Sequence, residues 1–478
     1  PSSIGKFGGD TDNWIWPRHT GDFSMFRVYA SKDNRPAAYS PQNVPYRPKK
    51  HFSISTKGVK EGDFTMIYGF PGNTQEYILS DAVAYIAERS DPAKIAIRTG
   101  RLDIITKAQE SDPALRIHYA AKHASIANAW KKWQGEALGI DRRGTVAAKF
   151  DYETQFGLWS VGRPEYAGVV MGLRAEYDRI MDAYFAYEIT RETLSTLPAA
   201  YTPEERAEEC FARRKFAEQA LWRHAFREYG RCPKVYRTPS YAEGMARYKS
   251  PEAYADALFE AVWEGSDSVA MQPAVRLREE TKRMLDHISW MLGTKSLRNL
   301  NSKILNELYT TYIKGLREWD RERAFYPDAN LTLRVAYGSV AGYEYADGEY
   351  HKPQTTLDGI IAKDNPEIYD YDIPQSLRDL YASKNYGRWG TVIDGRRTVP
   401  VCFLATNHTT GGNSGSPVLN AGGELIGINF DRTWRSTMSD IAFDPAICRN
   451  IAVDIRYVLF VVDRVGGAGY LLKEMTLK

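Results

Sequence analysis

The chain has 478 residues, enough for about two or three ordinary domains. Hydrophobic residues make up 43% of it and charged residues 26%, a composition typical of globular proteins. The formal net charge of +3 provides no basic field that would indicate binding to nucleic acid or to an anionic membrane. No apolar run approaches the roughly 20 residues that a membrane-spanning helix needs.

The first residues, Pro-Ser-Ser-Ile-Gly, lack the basic start and apolar stretch of a secretory signal. The chain also begins without Met, and we expect it to be part of a longer protein whose own signal, if any, lies elsewhere. A strand is predicted at residues 23–29, where apolar and polar residues alternate. Another is predicted at residues 64–68, closed by the turn Gly-Phe-Pro-Gly at 69–72.

From about Thr74 to Phe325 the pattern becomes helical. Apolar residues recur at spacings of three and four between Val169 and Tyr184, as on one face of a helix. Pro203 after Thr202 is typical of a helix start. No repeat of fixed period is present, which argues against a solenoid.

The strand pattern returns at Leu331 and predicts strands at residues 331–338, 398–404 and 424–430. The simplest architecture is an α+β fold in which a β domain is interrupted by a helical insertion. We place the first part of the β domain at residues 1–74, the helical domain at 75–330 and the second β part at 331–478. Three independent domains would leave the first β part too short to bury a core.

The four cysteines, Cys210, Cys232, Cys402 and Cys448, show no CxxC or zinc-binding spacing. We expect buried thiols, because free cysteine packs as a small hydrophobic residue. A bridge between Cys210 and Cys232 stays open. The eight histidines are scattered without an HExxH motif, and no glycine-rich phosphate loop is present, so neither a metal site nor a cofactor is predicted.

Residues 411–417 read Gly-Gly-Asn-Ser-Gly-Ser-Pro and carry the strongest chemical signal. A nucleophilic serine needs an exposed hydroxyl on a tight turn, with backbone N–H groups converging on the developing oxyanion. Ser414 fits the nucleophile, and the N–H groups of Gly412 and Ser414 fit the oxyanion hole. The alternative is a glycine-rich hairpin turn without chemistry.

This motif resembles that of trypsin-like double β-barrel peptidases. Their triad aspartate opens a strand of alternating pattern, which Gly21 and Asp22 followed by residues 23–27 match. The resemblance implies that Asp22 orients the catalytic histidine. A plain turn before a strand is the alternative.

Residues 8–22 and 407–414 indicate a more specific resemblance within the trypsin-like peptidases. The chain is similar over its whole length to the bacterial serine dipeptidyl-peptidase family that contains dipeptidyl peptidases 7 and 11. That resemblance implies a double barrel, here with its first barrel incomplete, interrupted by an all-α domain that caps the active site. It further implies release of dipeptides from the free N-termini of oligopeptides, a homodimer, and a periplasmic, surface-associated or secreted location.

The family's substrate ammonium is bound by Asn, Trp and Asp side chains. Carried over by motif position, these are Asn13, Trp14, Asn128 and Asp431. Carboxylate and amide oxygens accept N–H bonds, which suits an ammonium. Asn128 also fits a helix-surface amide, and Asp431 a solvated loop carboxylate.

Arg432 follows Asp431 in the loop that walls the specificity pocket of trypsin-like folds. The resemblance implies Gly here in members that take hydrophobic residues, and Arg in the Asp/Glu-specific branch, dipeptidyl peptidase 11. Because a guanidinium matches a carboxylate bidentately, the sequence predicts a preference for Asp or Glu as the second substrate residue. A surface arginine is the alternative.

The general base is missing from this pattern. Only His19 lies near Asp22, too close along the chain to take the base position, and His408 before Ser414 would need a different geometry. We therefore expect the base histidine outside this chain. Three other functions stay open: a hydrophobic-specific enzyme of the dipeptidyl peptidase 7 type, a trypsin- or HtrA-like endopeptidase, and a catalytically silent peptide-binding fragment.

Overall fold

The computed structural model describes residues 2–265, 268–294 and 299–478. The chain divides into two compact units. One comprises Pro1–Glu76 and Asp328–Lys478, and the other is Tyr77–Pro327. The first unit is built around β-strands and the second is helical.

The strands of the first unit are, in chain order, β1 Tyr29–Ala30, β2 Val44–Pro45, β3 Phe64–Gly69, β4 Arg334–Ser339, β5 Tyr343–Ala346, β6 Glu349–His351, β7 Gln354–Thr356, β8 Thr391–Ile393, β9 Arg396–Thr398, β10 Pro400–Ala405, β11 Pro417–Leu419, β12 Leu425–Arg432 and β13 Asn450–Asp454. The α-helices of the chain are α1 Ser2–Gly5, α2 Ser80–Ala84, α3 Asp91–Ser111, α4 Pro113–Arg142, α5 Thr145–Ser160, α6 Val169–Glu192, α7 Pro203–Ala207, α8 Lys215–Tyr229, α9 Pro239–Tyr248, α10 Pro251–Glu264, α11 Ser268–Met291, α12 Lys303–Trp319, α13 Leu357–Lys363, α14 Gln375–Ala382 and α15 Ile455–Phe460.

The remaining helical segments are short and are π-helical or 3₁₀ in type. Tyr85–Ser90 and Val461–Val465 are π-helical, and the 3₁₀ turns are Leu194–Thr196, Ala212–Arg214, Lys234–Tyr236, Tyr369–Tyr371, Gly387–Trp389, Trp434–Asp440 and Gly469–Glu474.

A seven-stranded antiparallel sheet organises the first unit, in the order β4-β3-β11-β12-β13-β10-β7. The sheet is curled: Val340, just after β4, forms an antiparallel bridge with Ala405 at the end of β10. Backbone bonds from Ala341 N–H to the Leu404 carbonyl and from Thr406 N–H to the Ser339 carbonyl reinforce this contact. The first and sixth strands of the order therefore meet at one end.

Side chains alternate between the two faces of this curled sheet, as the period of a strand requires. On β10, Phe403 packs into a small core inside the curl, while its neighbours Cys402 and Leu404 belong to a larger core on the other face. The inner core consists of residues from five strands and two adjoining segments: Val59, Ile67, Val340, Phe403, Val418, Ile426 and Ala452. Gly427 leaves room for it, since a Cβ there would lie 2.7 Å from the Phe403 ring.

The predicted strands at 64–68, 331–338, 398–404 and 424–430 are confirmed, with small shifts of their ends. The prediction for 23–29 is wrong except at Tyr29, where β1 begins. A strand needs a hydrogen-bonded neighbour, and in the part of the chain that the structure describes residues 23–27 belong to no strand pair, while the Val28 carbonyl accepts only the Tyr46 N–H beside β1 and β2. Phe26 is accordingly 89% exposed.

The helical unit confirms the predicted helical pattern between Thr74 and Phe325. The apolar spacing that starts at Val169 forms α6, which buries Leu173, Tyr177 and Ile180. Thr202 and Glu205 form a reciprocal capping box at the start of α7, although that helix ends at Ala207. A core of its own packs between α3, α4 and α8, including Ile105, Tyr119 and Leu221.

All four cysteines are buried and free, as predicted for thiols, and no bridge joins Cys210 to Cys232. Among the described residues, none of the helices has the length and apolar character needed to cross a bilayer.

Candidate active site

Ser414 lies in a loop whose backbone only glycine can adopt at two positions. Gly412 has φ +104° and Gly415 has φ +81°, both in the left-handed half of the map. A Cβ on Gly412 would also lie 2.3 Å from the Phe70 carbonyl oxygen and 2.9 Å from the Gly72 nitrogen. The glycines flanking Ser414 therefore set the shape of the turn.

Amide side chains hold this loop against the sheet. The Thr410 N–H donates to Asn413 Oδ1 at 3.1 Å, and the Gly415 N–H donates to the Asn429 carbonyl at 2.8 Å. Asn429 Nδ2 donates in turn to the Asn413 carbonyl at 3.2 Å, and Asn450 Nδ2 to Asn429 Oδ1 at 2.9 Å. Because Asn413, Asn429 and Asn450 are buried, these bonds are shielded from water and fix the loop.

The Ser414 hydroxyl is exposed and donates to the carbonyl of Phe430 at 3.3 Å. Phe430 lies on β12, immediately before Asp431 and Arg432. The structure thus places the predicted nucleophile beside the two residues predicted to recognise the substrate. The same loop geometry suits an oxyanion hole built from the Gly412 and Ser414 N–H groups, which stays a prediction.

Asp22 follows a close approach of the chain to α15. A Cβ on Gly21 would lie 2.8 Å from the Tyr457 ring, and the Gly21 N–H donates to the Ile4 carbonyl at 2.9 Å. Asp22 itself remains accessible to solvent. Partial desolvation raises the pKa of its carboxyl, Arg18 opposes that rise and Asp431 adds to it. Its role as triad aspartate stays a prediction.

The segment before Asp22 reaches Asp431 directly. Trp14 adopts the left-handed backbone, with φ +67°, and its N–H donates to Asp431 Oδ2 at 3.3 Å. Arg18 Nη1 forms an ion pair with the same oxygen at 2.8 Å, and both side chains are 9% exposed. Arg18 also donates to the Asp12 carbonyl at 2.7 Å. Asp431 is therefore an ion-paired carboxylate and not a solvated one.

Sequence reasoning did not predict that Arg18 contacts Asp431. The sequence signal that could have identified Arg18 is its position in the same motif as Trp14, where a cation stands four residues from a predicted substrate-binding side chain.

Asn13 lies beside Trp14 and is partly buried, and its role stays a prediction. Asn128 lies on α4 in the helical unit, exposed, where its role likewise stays a prediction.

The Arg432 side chain is buried, and its guanidinium donates hydrogen bonds to neighbouring residues instead of pointing to solvent. Its Nη1 donates to Asp440 Oδ1 at 2.6 Å, Ser439 Oγ at 2.9 Å and the Thr409 carbonyl at 3.2 Å, while Nη2 donates to Asp440 Oδ2 at 2.8 Å. The guanidinium carbon lies 5.6 Å from the centre of the Trp14 ring. The surface-arginine alternative is thereby wrong. Sequence reasoning missed Asp440, an acid eight residues beyond Arg432.

His408 is engaged away from Ser414. Its Nε2 lies 2.9 Å from the Ser439 carbonyl, its Nδ1 lies 3.2 Å from Glu76 Oε1, and its ring stacks on Phe443. Burial lowers the pKa of the imidazole, which favours the neutral ring. With both nitrogens directed at other groups, His408 is not arranged as the general base of Ser414.

His19 is buried as well. Burial, and to a smaller extent Lys363, lowers the pKa of its imidazole to about 3. Gly359 on α13 makes room for the ring, since a Cβ there would lie 1.9 Å from His19 Nε2. His19 is therefore a neutral packing residue of the loop that precedes Asp22.

One cluster in the helical unit has metal-ligand residue types. Potential ligand atoms of His118, Glu208 and Cys210 lie within 4.8 Å of one another. However, Arg214 Nη1 lies 2.7 Å from His118 Nε2 and has only donors, so that nitrogen must accept and the ring proton must reside on Nδ1. Nδ1 lies 3.3 Å from Glu208 Oε2. The cluster is therefore an ion-pair network, in which a metal would have to displace that proton.

Comparison with known proteins covers the whole chain. The family model Peptidase S46 matches residues 1–215 and 204–477. The Asp/Glu-specific dipeptidyl-peptidase of Capnocytophaga gingivalis is 42% identical over 523 residues, an alignment that covers 100% of this chain and 72% of that protein. Dipeptidyl-peptidase 7 of Phocaeicola vulgatus is 35% identical over 518 residues, covering 100% of this chain and 71% of that protein.

Solved structures agree with these matches. The crystal structure of Porphyromonas endodontalis DPP11 in complex with the dipeptide Arg-Glu is 33% identical, with a TM-score of 0.83 over 100% of this chain and 74% of that one. The mixed helical and β architecture described above is therefore that of a known peptidase. With a family model over nearly every residue and relatives similar along the entire chain, this chain belongs to the Peptidase S46 family.

Proposed function

We propose that the protein is a serine dipeptidyl-peptidase that releases dipeptides from free N-termini and prefers Asp or Glu as the second residue. One observation carries the proposal: the Ser414 hydroxyl bonds to the Phe430 carbonyl, one residue before an acid and two before an arginine. A nucleophile, an anion for the substrate ammonium and a cation for an acidic side chain therefore occur together on β12 and on the loop between β10 and β11 that is hydrogen-bonded to it.

The relatives support this assignment. Asp/Glu-specific dipeptidyl-peptidases from Capnocytophaga gingivalis and Porphyromonas gingivalis match the chain over its full length. The DPP11 structure with bound Arg-Glu shows that a relative of this fold holds a dipeptide with an acidic second residue. Peptides are the substrate class that these comparisons support.

Each predicted site residue has a role in this proposal. Ser414 attacks the peptide carbonyl, the Gly412 N–H helps to stabilise the oxyanion, and Asp22 orients the base histidine. Asn13, Trp14, Asn128 and Asp431 bind the substrate ammonium. Arg432 then recognises the acidic side chain.

We also propose the finer architecture of trypsin-like peptidases for the first unit. The curled sheet would be one of two barrels, residues 1–74 and 331–478 would form the catalytic domain, and residues 75–330 would be a separate helical domain. The sheet that almost closes at Val340 and Ala405 supports the barrel. A homodimer and a periplasmic, cell-surface or secreted location complete the proposal, and both rest on the family resemblance.

A comparison of Leu-Asp and Leu-Met fluorogenic dipeptides tests the specificity. We expect a catalytically active form of the protein to cleave Leu-Asp with the higher kcat/KM, because a methionine side chain cannot accept the hydrogen bonds that the guanidinium of Arg432 is proposed to donate to a substrate carboxylate. Ser414→Ala should abolish both activities. Faster cleavage of Leu-Met would contradict the acidic preference and leave the dipeptidyl-peptidase assignment standing.

N-terminal acetylation of the same substrates tests the exopeptidase assignment. Acetylation removes the ammonium that Asp431 is proposed to bind, and losing one partner of a buried charged hydrogen bond typically costs ~2–5 kcal/mol. We expect kcat/KM to fall by at least about thirtyfold, the fold-change that corresponds to that range. Undiminished cleavage of acetylated substrates would favour an endopeptidase.

The Arg432–Asp440 ion pair favours a second candidate, a hydrophobic-specific dipeptidyl-peptidase in which Arg432 serves only an internal acid. The Leu-Asp and Leu-Met comparison distinguishes the two, since this candidate predicts preference for Leu-Met.

A further inference from the structure

We infer that Asp440 is a positioning residue for substrate specificity, which holds the Arg432 guanidinium in the orientation that binds an acidic side chain. The inference rests on the proposed function, in which Arg432 recognises that side chain. Asp440 would not touch the substrate and would act through Arg432 alone.

The contacts of Arg432 define one geometry. Both terminal nitrogens face Asp440, at 2.6 Å and 2.8 Å, and the side chains are 5% and 13% exposed. Ser439 Oγ and the Thr409 carbonyl accept further bonds from Nη1. A long, flexible arginine side chain is therefore confined to a single arrangement by three neighbours.

The backbone of Asp440 is held in place by contacts of its own. Asp440 and Ser439 end the 3₁₀ turn Trp434–Asp440 that follows β12, and Ser439 is buried. The Gln75 N–H donates to the Asp440 carbonyl at 2.6 Å, so its backbone is tied to the segment after β3. The acid is thus held by the fold on one side while it holds Arg432 on the other.

The chemistry of a guanidinium allows Asp440 and a substrate to be bound together. Arginine has five N–H donors, which form one edge from Nη1 and Nη2 and a second edge from Nε and Nη2. Asp440 occupies the first edge, and we expect a substrate carboxylate to bind the second, whose Nε is buried in this structure. Asp440 also neutralises a charge that would otherwise be buried without a counter-ion, which is costly.

The opposite role for Asp440 would be competition, in which it occupies the guanidinium and must leave before an acidic substrate binds. The two roles predict opposite effects for the isosteric substitution Asp440→Asn. If Asp440 positions Arg432, the loss of its charge and of one acceptor weakens acidic substrates. If it competes, the same change strengthens them.

The experiment measures kcat and KM for Leu-Asp and Leu-Met with a catalytically active form of the protein and its variants Asp440→Asn, Arg432→Gly and the double variant. We expect Asp440→Asn to lower the Leu-Asp to Leu-Met ratio of kcat/KM about tenfold or more, the size of a misplaced charge-assisted hydrogen bond. The change should fall mainly on the KM for Leu-Asp. In the Arg432→Gly background, adding Asp440→Asn should leave the ratio unchanged, because Asp440 acts through Arg432.

Two controls separate this from general damage. Asp394→Asn removes the acid of an exposed ion pair with Lys352 on the same unit and should not alter the ratio. Labelling of Ser414 by a serine-directed phosphonate reports on the folded site in every variant. If Asp440→Asn does not fold, Ser439→Ala, which removes one acceptor of Arg432, decides instead by a smaller fall of the ratio.

The outcomes distinguish the inference from the proposed function. An unchanged or increased ratio in Asp440→Asn, together with a collapsed ratio in Arg432→Gly, would overturn the positioning role and leave the acidic specificity of Arg432 intact. An unchanged ratio in Arg432→Gly would overturn the specificity assignment itself.

Discussion

Asp431 and Arg432 are adjacent on β12, and each forms an ion pair with a different residue of opposite charge. Asp431 pairs with Arg18, and Arg432 pairs with Asp440. Isolated buried charges are costly, so both charged groups need such partners when no substrate is bound. At the residue scale, the candidate site is therefore electrically balanced before a peptide arrives.

Gly412 offers a direct test of the loop around Ser414. Alanine at this position would force a left-handed backbone on an L residue and place its Cβ 2.3 Å from the Phe70 carbonyl. We expect Gly412→Ala to lower kcat/KM about a hundredfold or more, the loss typical when one oxyanion donor is misplaced. Gly411→Ala is the matched control, because a Cβ there meets open space, and it should cause a much smaller loss.

His19 predicts how stability depends on pH. Its pKa is lowered to about 3 from 6.5, so between these values the unfolded chain binds a proton that the folded chain does not. The free energy of unfolding should therefore fall as pH drops from about 6.5 toward 3, with a contribution of up to ~1.4 kcal/mol per pH unit. We expect His19→Gln to flatten this part of the curve, measured by urea unfolding at pH 7, 6 and 5.

The exposed His51 supplies the comparison, since His51→Gln should retain the pH dependence of the unsubstituted protein. An equal slope in the His19 and His51 variants would show that other groups cause the acid sensitivity.

At the scale of elements, a helix or strand forms only where its neighbours complete it. Residues 23–28 have the alternation of a strand and yet adopt none, whereas β12 lies between β11 and β13 and carries Asp431 and Arg432, the pair proposed to recognise the substrate. Alternation describes which side chains share a face, but hydrogen bonds to an adjacent strand decide whether the backbone extends there.

Helix packing around glycine gives a prediction for α13. A Cβ on Gly359 would lie 1.9 Å from the His19 ring, so Gly359→Ala should destabilise the first unit by ~1–3 kcal/mol through overpacking. Gly157 on α5 meets open space, and Gly157→Ala should stabilise the helical unit by up to ~1 kcal/mol through helix propensity. Thermal unfolding of both variants measures the two signs, and a gain in stability of Gly359→Ala would contradict the close contact between Gly359 and the His19 ring.

At the scale of the whole molecule, the chain consists of two units with separate hydrophobic cores. The helical unit is continuous in sequence, while the β unit is assembled from two distant stretches. A continuous unit with its own core meets the physical requirements for folding alone.

We therefore expect residues 77–327, expressed alone, to show a helical circular dichroism spectrum and a cooperative thermal transition. Within that fragment, Ile105→Ala should cost ~2–5 kcal/mol, because Ile105 is fully buried on α3. Ile117→Ala on α4 is the control, since Ile117 is 78% exposed and should change stability little. A broad, non-cooperative transition of the fragment would show that the helical unit depends on the rest of the chain.

Local patterns in the sequence were sufficient for several features of this protein. The glycines and serine of residues 411–417 predict a nucleophile loop, because their chemistry and backbone freedom are carried by neighbouring residues. The apolar spacing of α6 and the cap at Thr202 predict helices for the same reason, since both interactions span only three or four residues. The resemblance of residues 8–22 and 407–414 indicated the family that the comparisons establish.

Tertiary structure alone decided the pairing of charges and the fate of the first strand-like segment. Arg18 and Asp431 are 413 positions apart, and nothing in the local sequence of either specifies the other. Arg432 was predicted to face a substrate, and only the return of the chain through the turn Trp434–Asp440 shows that it is held by Asp440. Ion pairs and strand neighbours depend on which distant segments meet in space, and that information resides in the packing of the whole unit rather than in any one stretch of residues.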